Sequence, residues 1–475
     1  MCYNHEEKCH VVTKICHEHS NHAVDEELAD RYPEFRRPSD DTVQEVQKLL
    51  DYEVRTGVIR DMVLRSGIKA TAQDIQNLRY FDNIQDFRNS FCKVHLECVS
   101  FYSCRNKWLD KFKGKRGSPE DAVFEELRKI KEEDPGSVVA IQYDPETFVI
   151  HSVFFQWSEM RDALQKYPEV LIMDTTYKLS DNDMPLVVFE VVDCFGAGRV
   201  AGYALIMSES KDIVSGALSA LKIGMENLTE RVESVFVDRA ESEIVSIKEI
   251  LPNAEIHLCD YHVKNAIQRS GEKKELENWD EIYPIVKKMI HAQTKEIYDK
   301  AYEELKVAAG GDESPFMKYF NKRWHNSDLI WTEFRRNMFF TLGERTTGRL
   351  ECHNAKIKMW IQKRLPPAQV ISRLRIMHKV SYNENDHRVF ESMAKTRYNK
   401  YSKDPVVQKI LKINTPFIGD ILKRQYERSL EPPSHNVHEV TLEKCDCADH
   451  TKYRLPCSHI FRERRLQGGY FTLVC

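Results

Sequence analysis

LIMDTTYK, residues 171–178, passes from a run of apolar side chains to the carboxylate of Asp174 and then to small hydroxyl residues. This is the pattern of a buried strand that delivers an acid to the edge of a sheet, where ligands commonly bind. Taken alone, Asp174 also fits a turn-forming or helix-capping residue. The choice between these interpretations depends on the segments that surround it.

Short apolar segments on both sides of this stretch predict a sheet. The predicted strands are Val138–Tyr143, 148–155, 185–192, 199–207, Ser234–Val237 and Glu255–Leu258. The glycines in 195–198 indicate a hairpin, and helices are predicted between the later strands, at 159–167, 212–225 and 241–251. Along the chain, strands joined by hairpins come first and are followed by alternating helices and strands. This order predicts a mixed α/β sheet.

Two further acids suit a metal site with Asp174. Asp238 ends the strand Ser234–Val237, and parallel neighbouring strands would bring both carboxylates to one edge of the sheet. Glu351 lies in the first turn of a helix predicted at 346–364, where a carboxylate also suits the helix dipole. Carboxylates are preferred ligands of Mg²⁺ and Mn²⁺, and paired ions of this kind promote phosphodiester displacement. Because the chain has 74 acidic residues, spacing alone indicates this site weakly.

Cys259 and His262 follow the strand Glu255–Leu258, at the start of a predicted helix. A thiol at the end of an apolar strand is often a core residue, and a histidine there often caps the helix. Two ligands do not make a zinc site. The residues by themselves leave open whether this pair belongs to the core or to a site.

The C-terminal region carries the strongest local motif, C-x-C-x9-C-x-H. Its members are Cys445, Cys447, Cys457 and His459, and they follow a proline-rich linker at 431–434. Three thiolates and one imidazole suit a closed tetrahedral Zn²⁺ site. A unit as short as 431–475 has little core of its own and needs a metal to fold. We therefore predict a small zinc finger here.

Length and composition limit the protein class. With 475 residues the chain should form two to four domains. Its net charge of -4 means that contacts with nucleic acid must come from local patches. The 13 cysteines, without a signal peptide, favour reduced thiols and metal sites over disulfides. No apolar run approaches the roughly 20 residues of a membrane span, which argues against a membrane protein.

The flanking regions carry weaker signals. Residues 1–37 are rich in cysteine and histidine, which fits either a zinc site or a disordered tail. Residues 38–135 predict short helices, either a helix-turn-helix or a simple packing bundle. Basic and aromatic residues in 105–116 could contact nucleic acid, but a solvated linker is favoured. Residues 263–342 and 366–430 are predicted to be helical, the former as an insertion or a separate domain.

The run from about residue 153 to 363 resembles the transposase domain of Mutator-like elements, within the retroviral-integrase-like RNase H superfamily. Segments in a fixed order carry the resemblance: YPEV 167–170, MDTTYK 173–178, MPL 184–186, FVD 236–238, LPNA 251–254, LCDYH 258–262, TT 346–347 and LECHN 350–354. Residues 445–459 resemble a SWIM zinc finger, which commonly follows that domain. The N-terminal tract, ending in His19-Ser20-Asn21-His22, resembles the tail of a FAR1/WRKY-like DNA-binding zinc finger.

The resemblance implies an RNase H-like α/β domain at 136–365, with a helical insertion at about 263–342, helical flanking regions and a C-terminal SWIM finger. It implies a DDE nuclease whose catalytic acids Asp174, Asp238 and Glu351 bind Mg²⁺ or Mn²⁺. Cys259 and His262 match the family's C-x2-H pair, near the site. The zinc ligands implied are the four described above, Cys445, Cys447, Cys457 and His459.

The implied activity is cleavage and transfer of DNA strands in the nucleus. The implied partners are DNA, a protein that binds the SWIM finger, and further copies of the chain. The rival hypothesis is a domesticated, non-catalytic descendant that binds zinc and DNA as a regulator. A third hypothesis is a protein-interaction module, since SWIM fingers are not restricted to DNA.

Overall fold

The computed structural model describes residues 2–4, 9–11, 119–143, 150–273, 279–361, 364–394, 404–432 and 438–467. The chain divides into two compact units, one comprising Met1–Asp86 with Asp386–Tyr398 and the other Phe87–Asn385 with Asn399–Cys475. In the first unit, strands β1 (Cys2–Asn4) and β2 (Cys9–Val11) pair antiparallel. The rest of the Cys/His-rich tract lies outside the described residues, as does the part of the predicted helical region 38–135 that precedes residue 119, including the basic tract at 105–116.

A seven-stranded mixed sheet forms the centre of the second unit. Its strands are β3 Val138–Tyr143, β4 Ile150–Gln156, β5 Val170–Thr176, β6 Leu186–Val192, β7 Gly198–Ile206, β8 Ser234–Val237 and β9 Glu255–Leu258. Their order across the sheet is β3-β4-β7-β6-β5-β8-β9. The pairs β5-β8 and β8-β9 are parallel and the others antiparallel, which confirms the predicted mixed sheet.

The hairpin predicted at 195–198 joins β6 and β7, with Val192 opposite Gly198. Asp193 holds the turn, because its carboxylate accepts hydrogen bonds from the backbone N–H groups of Phe195 and Ala197, both at 2.9 Å. Gly196 has a φ of 70°, a conformation that favours glycine. Local sequence therefore determines this connection.

Helices surround the sheet and continue beyond it. They are α1 Pro119–Glu133, α2 Ser158–Lys166, α3 Lys211–Gly224, α4 Leu228–Arg231, α5 Glu241–Ile250, α6 Asp260–Lys273, α7 Trp279–Ile290, α8 Lys295–Ala308, α9 Pro315–Phe320, α10 Glu333–Arg336, α11 Gly348–Trp360, α12 Pro367–Ala394, α13 Pro405–Ile413, α14 Pro416–Leu430, α15 Ala448–Tyr453 and α16 Ser458–Leu466. A single π-helical turn, Asn321–His325, follows α9.

Alternating side chains of the central strand divide the core into two layers. Leu171 and Met173 of β5 pack in one layer with apolar residues of α3, α5 and α6. Val170 and Ile172 pack in the other layer with residues of α1, α11 and α12. Burying an apolar side chain of this size stabilises the fold by about 1.5–3 kcal/mol. Side chains alternate between the two faces of a strand, so residues two positions apart in β5 lie on the same face.

The strand that carries Asp174 is longer than predicted. We expected it to end at Asp174, but β5 continues to Thr176, which pairs with Leu186 of β6. On its other side the parallel ladder with β8 ends earlier, at the pair of Ile172 and Phe236. At Asp174, β5 is therefore still paired with β6 but no longer with β8.

The helical region after β9 packs around two buried indoles, Trp324 and Trp331, in the same core layer as Leu171. Trp331 donates a hydrogen bond from Nε1 to the carbonyl of Trp324 at 3.1 Å. The prediction of helix as far as residue 342 was wrong, because α10 ends at Arg336 and 337–347 contains no helix. Leu342 and Gly343 have φ values of 53° and 75°, which a right-handed helix cannot accommodate.

The C-terminal helices form a smaller core. Val407 and Ile410 of α13 pack with Leu422 and Tyr426 of α14 and with Phe461 of α16. Thr415 caps α14 by accepting a hydrogen bond from the N–H of Ile418. Among the described helices, none combines the length and the apolar character that crossing a membrane requires.

Candidate functional site

The register of β5 and β8 places two of the predicted acids side by side. Val170 lies opposite Ser234 and Ile172 lies opposite Phe236 in the parallel ladder. Continuing this register by two residues sets Asp174 beside Asp238, at the end of β8. Since side chains alternate, both acids lie on the face of Ile172 and Phe236, the core layer that contains α11.

Helix α11 brings the third acid to the same face of the sheet. Leu350 and Ile357 are fully buried and anchor α11 in this layer. Asn354, one turn after Glu351, donates a hydrogen bond from Nδ2 to Oδ2 of Asp174 at 2.7 Å. The helix is shorter than the predicted 346–364, but it carries Glu351 in its first turn as expected.

His262, near the N-terminus of α6, lies between two of the acids. Its Nδ1 is 2.5 Å from Oδ1 of Asp238, and its Nε2 is 3.8 Å from Oε1 of Glu351. The hydrogen bond with Asp238, followed by that with Cys259, raises the pKa of His262 to about 10. The ring is therefore a cation at neutral pH, and it links the second acid to the third.

Cys259 lies beside this pair and is fully buried. Burial acts to raise the pKa of its thiol, but hydrogen bonds from His262 and Thr347 outweigh this and hold the pKa below the ordinary value. The backbone N–H of Thr347 donates to Cys259 Sγ at 3.3 Å. One potential ligand atom each of Asp238, Cys259 and His262 lies within 4.8 Å of the others. The structure thus places the C-x2-H pair next to Asp238, whereas no group of ligand atoms within this distance, among the described residues, combines all three acids.

The three carboxylates influence one another electrostatically. The pKa of Asp174 is raised to about 6, chiefly by burial, then by the charge of Asp238 and, more weakly, by that of Glu351. The positive charge of His262 opposes this shift. A shift from 3.8 to about 6 means that the ionised form of Asp174 costs about 3 kcal/mol more than in water. The acid edge, which we define as Asp174, Asp238 and Glu351, therefore carries negative charge that its protein neighbours only partly compensate.

Sequence reasoning missed a fourth carboxylate, Glu243 of α5. It is only 4% exposed, and it accepts a hydrogen bond from Thr175 Oγ1 at 3.3 Å. Burial, followed by the charge of Asp238, raises its pKa to about 8. Thr175 follows Asp174 and so points to the opposite face of β5. In the sequence Glu243 looks like an ordinary acid in the first turn of a helix, so no local signal distinguishes it.

The four predicted zinc ligands near the C-terminus lie together. One ligand atom of each of Cys445, Cys447, Cys457 and His459 is within 4.8 Å of the others, and the three cysteines are buried. Nδ1 of His459 is 3.6 Å from Sγ of Cys445 and 3.8 Å from Sγ of Cys457. Zinc bonds of the usual lengths, arranged as a tetrahedron, separate sulfur from nitrogen by about 3.6 Å. The residues therefore fit a zinc ion.

Hydrogen bonds inside this Cys/His cluster favour the thiolate of one cysteine, Cys447, whereas burial raises the pKa of Cys445, and the hydrogen bond with Cys447 together with burial raises the pKa of Cys457. The backbone N–H of Cys447 donates to Sγ of Cys445 at 3.4 Å, and that of His450 donates to Sγ of Cys447 at 3.5 Å. The hydrogen bond with Cys457, helped by that from His450, lowers the pKa of Cys447 to about 5. A thiolate is the form of cysteine that binds metals.

Asp260, His291 and Glu333 form a further group of close ligand atoms. Asp260 pairs with Arg336 at 2.7 Å, and Glu333 pairs with Lys452 at 3.0 Å and with Arg345 at 3.1 Å. Cations thus already neutralise both acids. We interpret this group as an ion-pair network that connects segments of the fold.

Comparison with known proteins supports the RNase H-like assignment. Residues 128–257 match the family model described as the RNaseH-like domain of zinc finger SWIM domain-containing protein 1/3. This range contains all seven strands of the sheet except the last residue of β9, and it includes Asp174 and Asp238. It ends before Cys259, His262, Glu351 and the Cys/His cluster. The chain therefore contains an RNase H-like domain in a mixed α/β sheet with helices.

Three curated proteins are similar to part of the chain. Mouse "Uncharacterized protein ZSWIM9" is 20% identical over 223 residues, 46% of this chain and 49% of that protein. Its human counterpart is 22% identical over 209 residues, 42% of this chain and 32% of that protein. "Protein FAR-RED IMPAIRED RESPONSE 1" of Arabidopsis thaliana is 21% identical over 275 residues, 58% of this chain and 32% of that protein.

The matched region thus covers half or less of the length of these relatives. Together with the family model, the similarities support a relation to the Mutator-related family of proteins with a SWIM unit.

Proposed function

We propose that this chain is a metal-dependent DNA nuclease of the Mutator-like, DDE transposase class. The observation that carries the proposal is the convergence of three acids that are far apart in the sequence. Asp174 and Asp238 each lie two residues after the last β5-β8 pair, Ile172 and Phe236, and Asn354 ties Asp174 to the helix whose first turn carries Glu351. One carboxylate on a strand, one directly after a strand and one on a helix suit phosphodiester chemistry, which requires ligands on rigid elements.

The donor set suits a divalent cation. Carboxylate oxygens are hard ligands, and the raised pKa of Asp174 reflects its burial first and then the negative charge of Asp238, which a bound cation would offset. Asp174, Asp238 and Glu351 would hold Mg²⁺ or Mn²⁺. Such ions, when bound, activate an attacking water or 3′-hydroxyl and stabilise the leaving oxygen.

Neighbouring residues orient the acids. Asn354 fixes the carboxylate of Asp174 with its hydrogen bond, and Thr347 donates from Oγ1 to Oε1 of Glu351 at 3.4 Å. His262 lies between Asp238 and Glu351, with Nδ1 2.5 Å from the first carboxylate and Nε2 3.8 Å from the second, so in this proposal it orients Asp238. Each acid therefore has a partner that restricts its side-chain rotation.

We propose in addition that Cys445, Cys447, Cys457 and His459 bind one zinc ion as a SWIM finger. The distances between Nδ1 of His459 and the sulfur atoms of Cys445 and Cys457 support this assignment. In this proposal the protein acts on DNA in the nucleus, and the finger contributes a surface for DNA or for a protein partner. Association with further copies of the chain would allow two DNA ends to be held together.

A nicking assay tests the proposed function. The full chain is incubated with Mn²⁺ and supercoiled DNA that carries candidate element ends, and the nicked product is quantified. Asp174→Asn should reduce nicking by about a thousandfold, because metal-assisted stabilisation of the transition state is worth several kcal/mol. Asp181→Asn, at an exposed position after β5, is the matched control and should nick normally. Equal nicking by wild type and Asp174→Asn would remove the acid edge from the reaction.

The second candidate function is a non-catalytic regulator that binds zinc and DNA. The observation that favours it is the ion pair between His262 and Asp238, because a protonated imidazole occupies one oxygen of a catalytic acid. DNA binding that weakens steeply with salt, without nicking dependent on Mn²⁺, would support this function over the nuclease.

A further inference from the structure

The Cys/His cluster encloses a loop that packs against the RNase H-like domain. Residues 448–456 connect the ligands Cys447 and Cys457 and include the short helix α15. The loop is tied to the first of these ligands, because the N–H of Thr451 donates to the carbonyl of Cys447 at 3.0 Å. Its helix ends at Arg454, whose φ is 52°, and the N–H of Arg454 donates to the carbonyl of His450. The shape of the loop thus depends on where its two ends are held.

The backbone of this loop binds the non-helical segment that precedes α11. The carbonyl of Lys452 accepts hydrogen bonds from the N–H groups of Thr341 and Leu342, at 3.3 Å and 2.9 Å. The next residue of the segment, Gly343, has a φ of 75°, and a side chain there would collide with the hydroxyl of Tyr453. The fit between the two segments is therefore close at the level of the backbone.

Two cations of the loop strengthen this contact. Nζ of Lys452 lies 3.0 Å from Oε1 of Glu333, a buried acid of α10. Arg454 donates from one guanidinium nitrogen to Oε1 of Glu233 at 2.7 Å and from the other to Oε2 of the same acid. Its guanidinium carbon also lies 4.5 Å from the centre of the Phe340 ring. Bidentate pairs of this kind constrain both distance and orientation.

Residues 340–347, which we call the connecting segment, run from this contact to the acid edge. At its start the carbonyl of Phe340 accepts a hydrogen bond from Ser234 Oγ at 2.7 Å, where β8 begins. Further along, the carbonyl of Arg345 accepts from the N–H of Asp260 at 3.0 Å. At its end Thr347 contacts both Cys259 and Glu351. The segment thus joins the docked loop to the neighbourhood of Glu351 through contacts along its whole length.

We propose that zinc in the Cys/His cluster holds the loop 448–456 in its docking shape, and that the docked loop positions Glu351 through the connecting segment. Lys452 and Arg454 are then positioning residues for the acid edge. The inference rests on the proposed zinc binding, because ligation fixes both ends of the loop. A nine-residue loop with free ends would lose conformational entropy when it docks. Ligation of Cys447 and Cys457 before docking would remove most of that entropy cost.

Hydrogen exchange of the full chain measures this coupling without using activity. Arg454→Ala and Lys452→Ala, singly and together, should retain zinc and accelerate amide exchange in 341–351 roughly tenfold or more, since charge-assisted hydrogen bonds are lost. Arg464→Ala is the matched control. This arginine lies in α16, donates to the carbonyl of Leu442 at 2.7 Å inside the same unit, and should leave exchange in 341–351 unchanged.

A charge reversal separates positioning from general destabilisation. Arg454→Glu should accelerate exchange in 341–351, and combining it with Glu233→Arg should restore much of the protection, because the ion pair is re-formed with opposite polarity. A double variant that exchanges as fast as Arg454→Glu alone would overturn the positioning role. Exchange in 341–351 that matches wild type in both Arg454→Ala and Lys452→Ala would overturn it as well.

Removal of zinc with a chelator supplies the second half of the test. Chelation should accelerate exchange in the same amides as Arg454→Ala does. Metal analysis confirms that the zinc has been removed. If exchange in these amides is then unchanged, the coupling is refuted, but the proposals of zinc binding and of DNA nicking still stand. Wild-type protein that contains no zinc would refute the zinc assignment and this inference together, whereas the nicking assay would still test the acid edge.

Discussion

The acid edge and the Cys/His cluster are both candidate metal centres, but the chain assembles them in different ways. The cluster draws its four ligands from residues 445–459, and the short helix α15 lies in the segment that joins Cys447 to Cys457. The acid edge draws its members from residues 174, 238 and 351, and only the pairing of β5 with β8 and the packing of α11 unite them. One site is local in the sequence, and the other depends on the whole domain.

Both sites contain acidic groups whose charged forms the protein opposes. In the Cys/His cluster, hydrogen bonds lower the pKa of Cys447 to about 5, but the pKa values of Cys445 and Cys457 are raised. At the acid edge, burial and like charges raise the pKa of Asp174 to about 6, which opposes the charged form. Because the cluster is a short local unit and the acid edge is held by the whole domain, a metal would be a folding element for the first site and a functional element for the second. Removing ligands from each should therefore have opposite effects on stability.

The largest expected effect is at the cluster. Cys457→Ser should lower the zinc content by one equivalent and unfold residues 438–467, because a structural zinc ion contributes about 10–16 kcal/mol to small zinc units. Metal analysis and hydrogen exchange over 438–467 measure this. Cys352→Ser, at an exposed cysteine outside the cluster, should keep both zinc and protection. Full retention of zinc by Cys457→Ser would contradict the assignment.

At the acid edge the corresponding substitution should stabilise the protein. Asp174→Asn removes a buried charge while keeping an oxygen that can accept the hydrogen bond from Asn354. In EDTA at pH 7.5 we expect the free energy of unfolding to rise by about 1–3 kcal/mol, while nicking is lost. Chemical denaturation measures the change. A fall in stability would show that the carboxylate of Asp174 is well compensated in the folded protein.

The raised pKa of Asp174 also predicts a pH dependence. The folded protein binds this proton more tightly than the unfolded chain, so the stability penalty is present above about pH 6 and is relieved as the pH falls from 6 towards 3.8. A proton then competes with the metal. Binding of Mn²⁺ should be constant above about pH 7 and weaken roughly tenfold per pH unit below 6. Calorimetric titration from pH 5 to 8 measures this, and a flat profile would refute it.

The smallest effect concerns His262. His262→Gln removes the cation that pairs with Asp238, so the acid edge should bind Mn²⁺ severalfold more tightly, as expected for the loss of a partly exposed ion pair. His291→Gln, at a histidine of the ion-pair network, is the control and should leave the affinity unchanged. Weaker binding by His262→Gln would contradict this competition and would show that His262 instead orients Asp238 for the metal or binds it.

Much of the fold could be predicted from local patterns. Val138–Tyr143, Ser234–Val237 and Glu255–Leu258 were predicted with the observed bounds, because each is a short apolar run that ends at polar residues. The hairpin between β6 and β7 was predicted from its glycines. The helix expected as far as residue 342 was wrong, since the backbone of 337–347 follows contacts with the C-terminal loop and not its own propensity.

The sequence by itself determined most of the strand pattern, the positions of Asp238 and Glu351 relative to their strand and helix, and the ligand spacing of the Cys/His cluster. These depend on periodicity and short-range geometry, which neighbouring residues control. Only the tertiary structure decided that His262 lies between Asp238 and Glu351, that Glu243 lies behind β5, and that residues 452–454 reach the connecting segment. Those contacts join distant parts of the chain, and strand register and helix packing set them without leaving a local pattern.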